Sequence, residues 1–232
     1  MRRFWTRAEV VSSPPGFGIL LDGRPVRLPQ GGARLQVTTA PLAAAIAEEW
    51  QAAGEEITYA DLPLTRLAGT AQARVAPGQA ASVAALAAYG ASDLLCYRAE
   101  APAELVERQA RAWQPWLDWA ALTLDAPLSV TAGVMPLAQP ELSLAALRAA
   151  LQRQTAEALT ALGVLVPALG SLVLGLAVAE QALLAEDAVA LALLDELFQA
   201  ELWGEDAEAA ARRRNVRAEA LLAGRFLALA RG

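Results

Sequence analysis

Residues 17–28, Phe-Gly-Ile-Leu-Leu-Asp-Gly-Arg-Pro-Val-Arg-Leu, decide how the chain begins to fold. An apolar run from Phe17 to Leu21 meets Asp22-Gly23, the two-residue signature of a tight hairpin, and the chain returns from Pro25 to Leu28. Outward from this hairpin, Phe4 to Val11 is short and β-rich, and Pro14-Pro15-Gly16 and Gln30-Gly31-Gly32 are turn signals. Arg34 to Thr38 supplies a further strand. The first forty residues therefore predict an antiparallel meander. A helix follows: Thr39 can cap it, Pro41 suits its first turn, and Leu42, Ile46, Glu49 and Trp50 recur at helical spacing until Gly54. A second helical piece runs from Leu62 to Val75.

Pro77-Gly78 is the best candidate boundary, giving residues 1–78 and 79–232 as domains. Beyond it the periodicity is mostly that of helices. Ala80 to Tyr89 is one. Ala103 to about Leu124 is a longer one, with Pro115 expected to kink or restart it and Trp113, Trp116 and Trp119 on one face. Those tryptophans read first as core and second as a partner groove. Pro127 to Met135 is β-branched and reads as a stray strand. Ser143 is expected to cap a helix from Leu144 to Leu162. Ser171 to Leu184, Glu186 to Trp203 and Ala207 to Ala230 complete the series. The fold class is α+β: a small N-terminal domain of antiparallel β-sheet plus helix, then a larger all-α helical bundle.

Composition excludes much of the usual chemistry. The 232 residues contain neither His nor Lys, and the single cysteine is Cys96. No Ser-His or Cys-His nucleophile pair can form, nor a lysine Schiff base, nor a phosphate loop ending in Gly-Lys. One Cys without His cannot build a zinc site, so no metal and no cofactor is expected. Cys96 lies among apolar neighbours and reads as an inert core thiol. The doublets Glu48-Glu49, Glu55-Glu56 and Glu205-Asp206 read as surface, because adjacent helical side chains point about 100° apart. The net charge is −6, from 19 Arg against 25 acidic residues, so a nucleic-acid partner is not expected. The one dense basic run, Arg212-Arg213-Arg214 with Arg217, reads as a solvated helix face. Residues 158–179 carry no charge but are interrupted by Gly163, Pro167, Gly170 and Gly175, which favours buried helix over a membrane span. The N-terminal MRRFWTRAEVV lacks the apolar core of a signal peptide, and the fold is expected to start almost at once in a reducing, cytoplasmic bacterial setting.

Six phrases in series carry a resemblance. They are Asp22-Gly23-Arg24-Pro25-Val26, Glu48-Glu49-Trp50-Gln51, residues 62–68 (LPLTRLA), residues 92–98 (SDLLCYR), residues 170–174 (GSLVL) and residues 195–206 (DELFQAELWGED). In this order, over nearly the whole chain, they resemble the ATP synthase F1 complex assembly factor 2 family, chaperones of the F1 α subunit. The resemblance implies two domains, no enzyme activity, and a protein that holds the free α subunit until β joins. It implies partner-binding roles for Glu196, the acidic residue before the Trp-Gly step, and for Trp50. Glu196, Gln199, Trp203 and Asp206 recur at three- and four-residue intervals and are expected to share one helical face. An acidic face with a Trp can mimic part of the surface it replaces on the partner. The alternative is a carboxylate-dependent hydrolase or small-ligand enzyme, which requires a deep pocket of converging Asp or Glu.

Overall fold

The hairpin around Asp22-Gly23 forms as read. The computed structural model describes residues 2–29, 32–133 and 135–232. Strands β1 (Ala8–Ser13) and β2 (Gly16–Leu21) pair antiparallel, from Ala8 opposite Leu21 to Ser13 opposite Gly16. Asp22 (φ 46°) and Gly23 (φ 79°) then turn the chain into β3 (Arg24–Pro25). Asp22 is fixed there because its carboxylate accepts from the backbone N–H groups of Thr6 and Arg7, both at 2.9 Å, which hold its pKa below the ordinary carboxylate value. Strand β4 (Gln36–Val37) pairs with β2 opposite Phe17 and Gly18. A Cβ on Gly16 would lie 2.2 Å from the Val37 carbonyl oxygen, so a side chain there would push β4 away. The expected turn at Gln30-Gly31-Gly32 lies partly outside the described residues, at Gln30 and Gly31.

Helix α1 (Ala40–Ala52) packs on this sheet. The Thr39 hydroxyl accepts from the Leu42 N–H at 3.3 Å, as a cap should, and donates to the Leu229 carbonyl at 2.5 Å. Leu42, Ile46 and Trp50 are buried from α1, with Ile19, Leu21, Leu35 and Val37 from the strands. Each such side chain contributes roughly 1.5–3 kcal/mol of transfer free energy. Helix α2 (Pro63–Thr70) continues through one π-helical stretch, Ala71–Val75. Its first turn is held by Glu49, whose carboxylate accepts from the N–H groups of Leu64 (2.7 Å) and Thr65 (2.9 Å) and from the Thr65 hydroxyl (2.7 Å). Glu49 is thus a half-buried capping group, not the surface charge its place in a doublet suggested.

The chain packs into two compact units. The smaller comprises Met1–Gln79, Thr155–Ala161 and Arg225–Gly232; the larger comprises Ala80–Gln154 and Leu162–Gly224. The larger is helical: α3 (Gln79–Ala87), α4 (Ala103–Leu124), α5 (Glu141–Gln152), α6 (Ala156–Leu169), α7 (Leu172–Ala179), α8 (Ala185–Ala192), α9 (Leu194–Trp203) and α10 (Ala207–Arg231), some of which contribute an end to the smaller unit. The α+β class holds.

Several helix boundaries differ from expectation. Helix α4 runs through Pro115 without a restart. The helix expected from Leu144 to Leu162 is two, α5 and α6, and Thr155 caps the second by accepting from the Ala158 N–H at 3.2 Å. Ser143 is no cap: it lies buried inside α5 and donates to the Pro127 carbonyl at 2.5 Å. The stretch 127–135 forms only the two-residue β5–β6 ladder of Tyr97–Arg98 with Thr131–Ala132 (Val134 is outside the described residues). Gln139 pins it instead, bonding both backbone groups of Ser129. Among the described residues no helix is long and apolar enough to cross a membrane, and every residue of α7 is buried. Asp93 caps α7 from a distance. Fully buried, it accepts from the Ser171 hydroxyl (2.8 Å), the Val173 N–H (3.0 Å) and the Leu95 N–H (3.1 Å). Burial pushes its pKa up while those donors pull it down.

Candidate partner-binding surface

Helix α9 carries three of the residues singled out above. The helix expected from Glu186 to Trp203 breaks at Leu193, which closes α8 and opens α9. The inward side of α9 rests on α4. Phe198 is buried with the Arg108 guanidinium 5.1 Å from its ring centroid, and Arg108 pairs with both Glu104 and Glu201 at 2.7 Å. Asp195 accepts from the Gln109 amide at 2.7 Å. With Asp195 and Phe198 facing α4, residues three and four apart on the other side turn outward.

On that outward side stand Glu196, Gln199 and Trp203. Gln199 is exposed and Trp203 is 78 % exposed. Glu196 is part-exposed and ion-paired with Arg212 of α10. Two neighbours add apolar surface: Leu202 is 55 % and Leu197 41 % exposed. Exposed tryptophan and leucine are residue types that interfaces use as anchors and apolar contact area.

Asp206 does not share this face. Gly204, at φ 89°, stops α9 one residue after Trp203, and Asp206 opens the next helix by accepting from the Ala209 N–H at 2.8 Å. The i, i+3 spacing that placed Asp206 with Trp203 holds only inside one helix, and the glycine lies between them. The basic run is also more engaged than a solvated face. Arg212 pairs with Glu196, Arg213 is buried and pairs with Glu205 at 2.8 Å, and Arg217 pairs with Glu186 at 2.7 Å.

Trp50 belongs to the smaller unit and is 6 % exposed. Its indole N–H donates to the Thr65 hydroxyl at 3.0 Å, its carbonyl accepts from the Trp5 indole at 3.2 Å, and the two rings meet edge-on at 5.0 Å. The structure therefore does not bring it to the surface with the α9 residues; it is a packing residue that floors a cleft. Trp113 is core as well, fully buried with its indole donating to the Leu191 carbonyl at 2.9 Å.

The ATP12 chaperone protein family matches residues 2–121. Over the rest the likeness continues at the level of structure. A crystal structure of Atp12 from Paracoccus denitrificans superposes with a TM-score of 0.94 at 46 % identity, covering 99 % of this chain and 98 % of that one. This chain belongs to the ATP12 chaperone family. An aspartate-to-lysine mutant of the Paracoccus denitrificans protein gives the same TM-score and identity, covering 99 % and 97 %. The Atu1473 protein of Agrobacterium tumefaciens follows at a TM-score of 0.89 and 39 % identity, covering 97 % of this chain and 84 % of that one.

As an ATP12-family member the chain is an assembly chaperone, and an open apolar surface suits that task. Sequence reasoning placed Glu196, Gln199 and Trp203 on one side of a helix, as the structure has them, but did not single out the exposed Leu197 and Leu202. Nothing marked them, because an isolated Leu on an amphipathic helix reads as core. Among the described residues no group of Cys, Asp and Glu is placed to hold a metal ion. A cleft of about 720 Å³ in the smaller unit, floored in part by Trp50, has no carboxylate among its described lining residues.

Proposed function

We propose that this chain binds the free α subunit of the F-type ATP synthase head in the bacterial cytoplasm and shields its subunit-facing surface until β joins. The exposed Trp203, on the same side of α9 as Gln199 and Glu196, carries this reading. An unassembled α subunit holds apolar interface area in water, which is an aggregation liability. A chaperone that must later leave needs a moderate interface with a few strong anchors, and one exposed tryptophan on a short helix is of that scale. Membership of the ATP12 family supports the same reading. The cleft with no carboxylate among its described lining residues counts against the alternative of a carboxylate-dependent hydrolase.

The test is size-exclusion chromatography of the purified chain with purified α subunit, β subunit and assembled head in turn. Co-elution is expected with α alone. Equal co-elution with β, or with the assembled head, would overturn the proposal.

A further inference from the structure

The cleft in the smaller unit has a chemistry distinct from the α9 surface. It is walled by residues 26–29, by residues 57–59, and by one side of α2 with its π-helical continuation. Along that wall Leu62, Arg66, Thr70 and Arg74 recur every four residues and so turn to one side. Between them Gly69 and Ala73 are small and leave the wall concave. A Cβ on Gly69 would come within 3.1 Å of the Leu28 side chain, so glycine here lets the two walls approach. The floor is apolar, from Val26, Leu28, Ile57, Leu62 and the Trp50 ring.

The rim is basic. Arg27, Arg66 and Arg74 are exposed, and among the described residues none of them is paired with a carboxylate. The Arg27 guanidinium donates to the Gly32 carbonyl, at 2.5 Å. Two acids beside the cleft are already used. Glu49 holds the first turn of α2, and Asp61 accepts from the N–H (2.7 Å) and hydroxyl (2.8 Å) of Thr58, which keep its pKa low. Three guanidinium groups thus rim an apolar floor with no ion pair among the described residues, in a chain whose net charge is −6.

We propose that this cleft binds an extended polypeptide segment presenting a large apolar side chain between two carboxylates, at a site separate from α9. The spacing selects a peptide over a fatty acid. Arg66 and Arg74 are eight residues apart, roughly 12 Å at helical rise, too far for one carboxylate headgroup to engage both. In an extended segment, residues i, i+2 and i+4 point the same way and span roughly 13 Å. An acid at i and at i+4 reaches both arginines, and an apolar residue at i+2 enters the cleft. Guanidinium groups bind carboxylates through paired N–H donors, which suits them to such recognition.

The probe is a fluorescein-labelled synthetic peptide, Gly-Ser-Glu-Ser-Phe-Ser-Glu-Ser-Gly, titrated with the full chain and followed by fluorescence anisotropy. Saturable binding is expected, weakening as salt is raised. The R66E/R74E variant, and the same peptide with both Glu replaced by Gln, should bind roughly tenfold or more weakly, since each loses charge-assisted hydrogen bonds. Ala73→Trp should fill the cleft and abolish binding with no change in melting temperature, because position 73 is exposed. If R66E/R74E fails to fold, R66Q/R74Q reads the same loss. Absence of saturable binding to the unmodified chain, undiminished binding by a folded arginine variant, or binding of dodecanoate at the cleft in place of the peptide would each overturn the proposal.

Discussion

Trp50 and Trp203 both stand near the C-terminal end of a helix, α1 and α9, and each is followed within four residues by glycine. One is 6 % exposed and the other 78 %. The difference comes from what lies over the helix end. Above Trp50 are Trp5, which bonds its carbonyl, and Thr65, which receives its indole N–H. Glu49 next to it ties down the start of α2, so the end of α1 is stitched from two directions. Helix α9 is held on α4 by Phe198, Asp195 and the Arg108 bridge and tied to α10 by the Glu196–Arg212 pair, but nothing covers its last turn, where Leu202 and Trp203 are exposed. An uncovered ring of this kind offers about 150–250 Å² of contact area, which under the proposed function makes it the anchor, while the buried one is a strut.

The sharpest way to break this comparison is to truncate both rings. Trp50→Ala should cost about 3–5 kcal/mol of folding stability, since it removes a buried aromatic and leaves Thr65 short of a partner. Trp203→Ala should leave stability within about 0.5 kcal/mol and weaken binding to the α subunit by about 2 kcal/mol or more. Urea denaturation gives the first pair of values and titration calorimetry the second. Equal stability losses in the two variants would end the distinction.

A smaller effect is expected at Glu196. It pairs with Arg212 at a part-exposed site, where such bridges contribute little. Glu196→Lys sets two cations side by side, so the melting temperature should fall only slightly, while α-subunit binding should weaken if the carboxylate faces the partner. A fall of many degrees would mark Glu196 as a structural residue; normal binding together with normal melting would remove it from the surface. The smallest expected signal is chemical. Cys96 is completely covered, and burial pushes its thiol up to about 12. The thiolate is then scarce at pH 8, and iodoacetamide should leave the native chain unmodified while labelling it in urea. Ready labelling of the folded chain would show that the interior of the larger unit opens far more than the exposed end of α9 implies.

Much of the architecture was legible where its cause is local. Asp22-Gly23 closes its hairpin because two consecutive residues need positive φ. Thr39 caps its helix through a hydroxyl that reaches an amide three residues on. The uncharged run 158–179 folds as two helices, α6 and α7, divided at Gly170 (φ 65°) and each too short to span a bilayer; Gly163, Pro167 and Gly175 stay inside them. The breaks at Leu193 and near Gln154 carry no glycine or proline, and periodicity ran straight across them.

The surface was legible only in part. The sequence by itself determined the helix that bears Glu196, Gln199 and Trp203, and the family to which the chain belongs. Its local patterns set which residues share a turn. Only the tertiary structure decided which tryptophan is covered, that Asp206 caps a different helix, that Glu49 and Asp93 are caps, and that Arg66 and Arg74 line an apolar cleft with no carboxylate among its described lining residues. Those outcomes depend on partners as far as 80 residues away, as for Asp93 and Val173, and burial is fixed by packing between elements whose mutual placement no local pattern encodes.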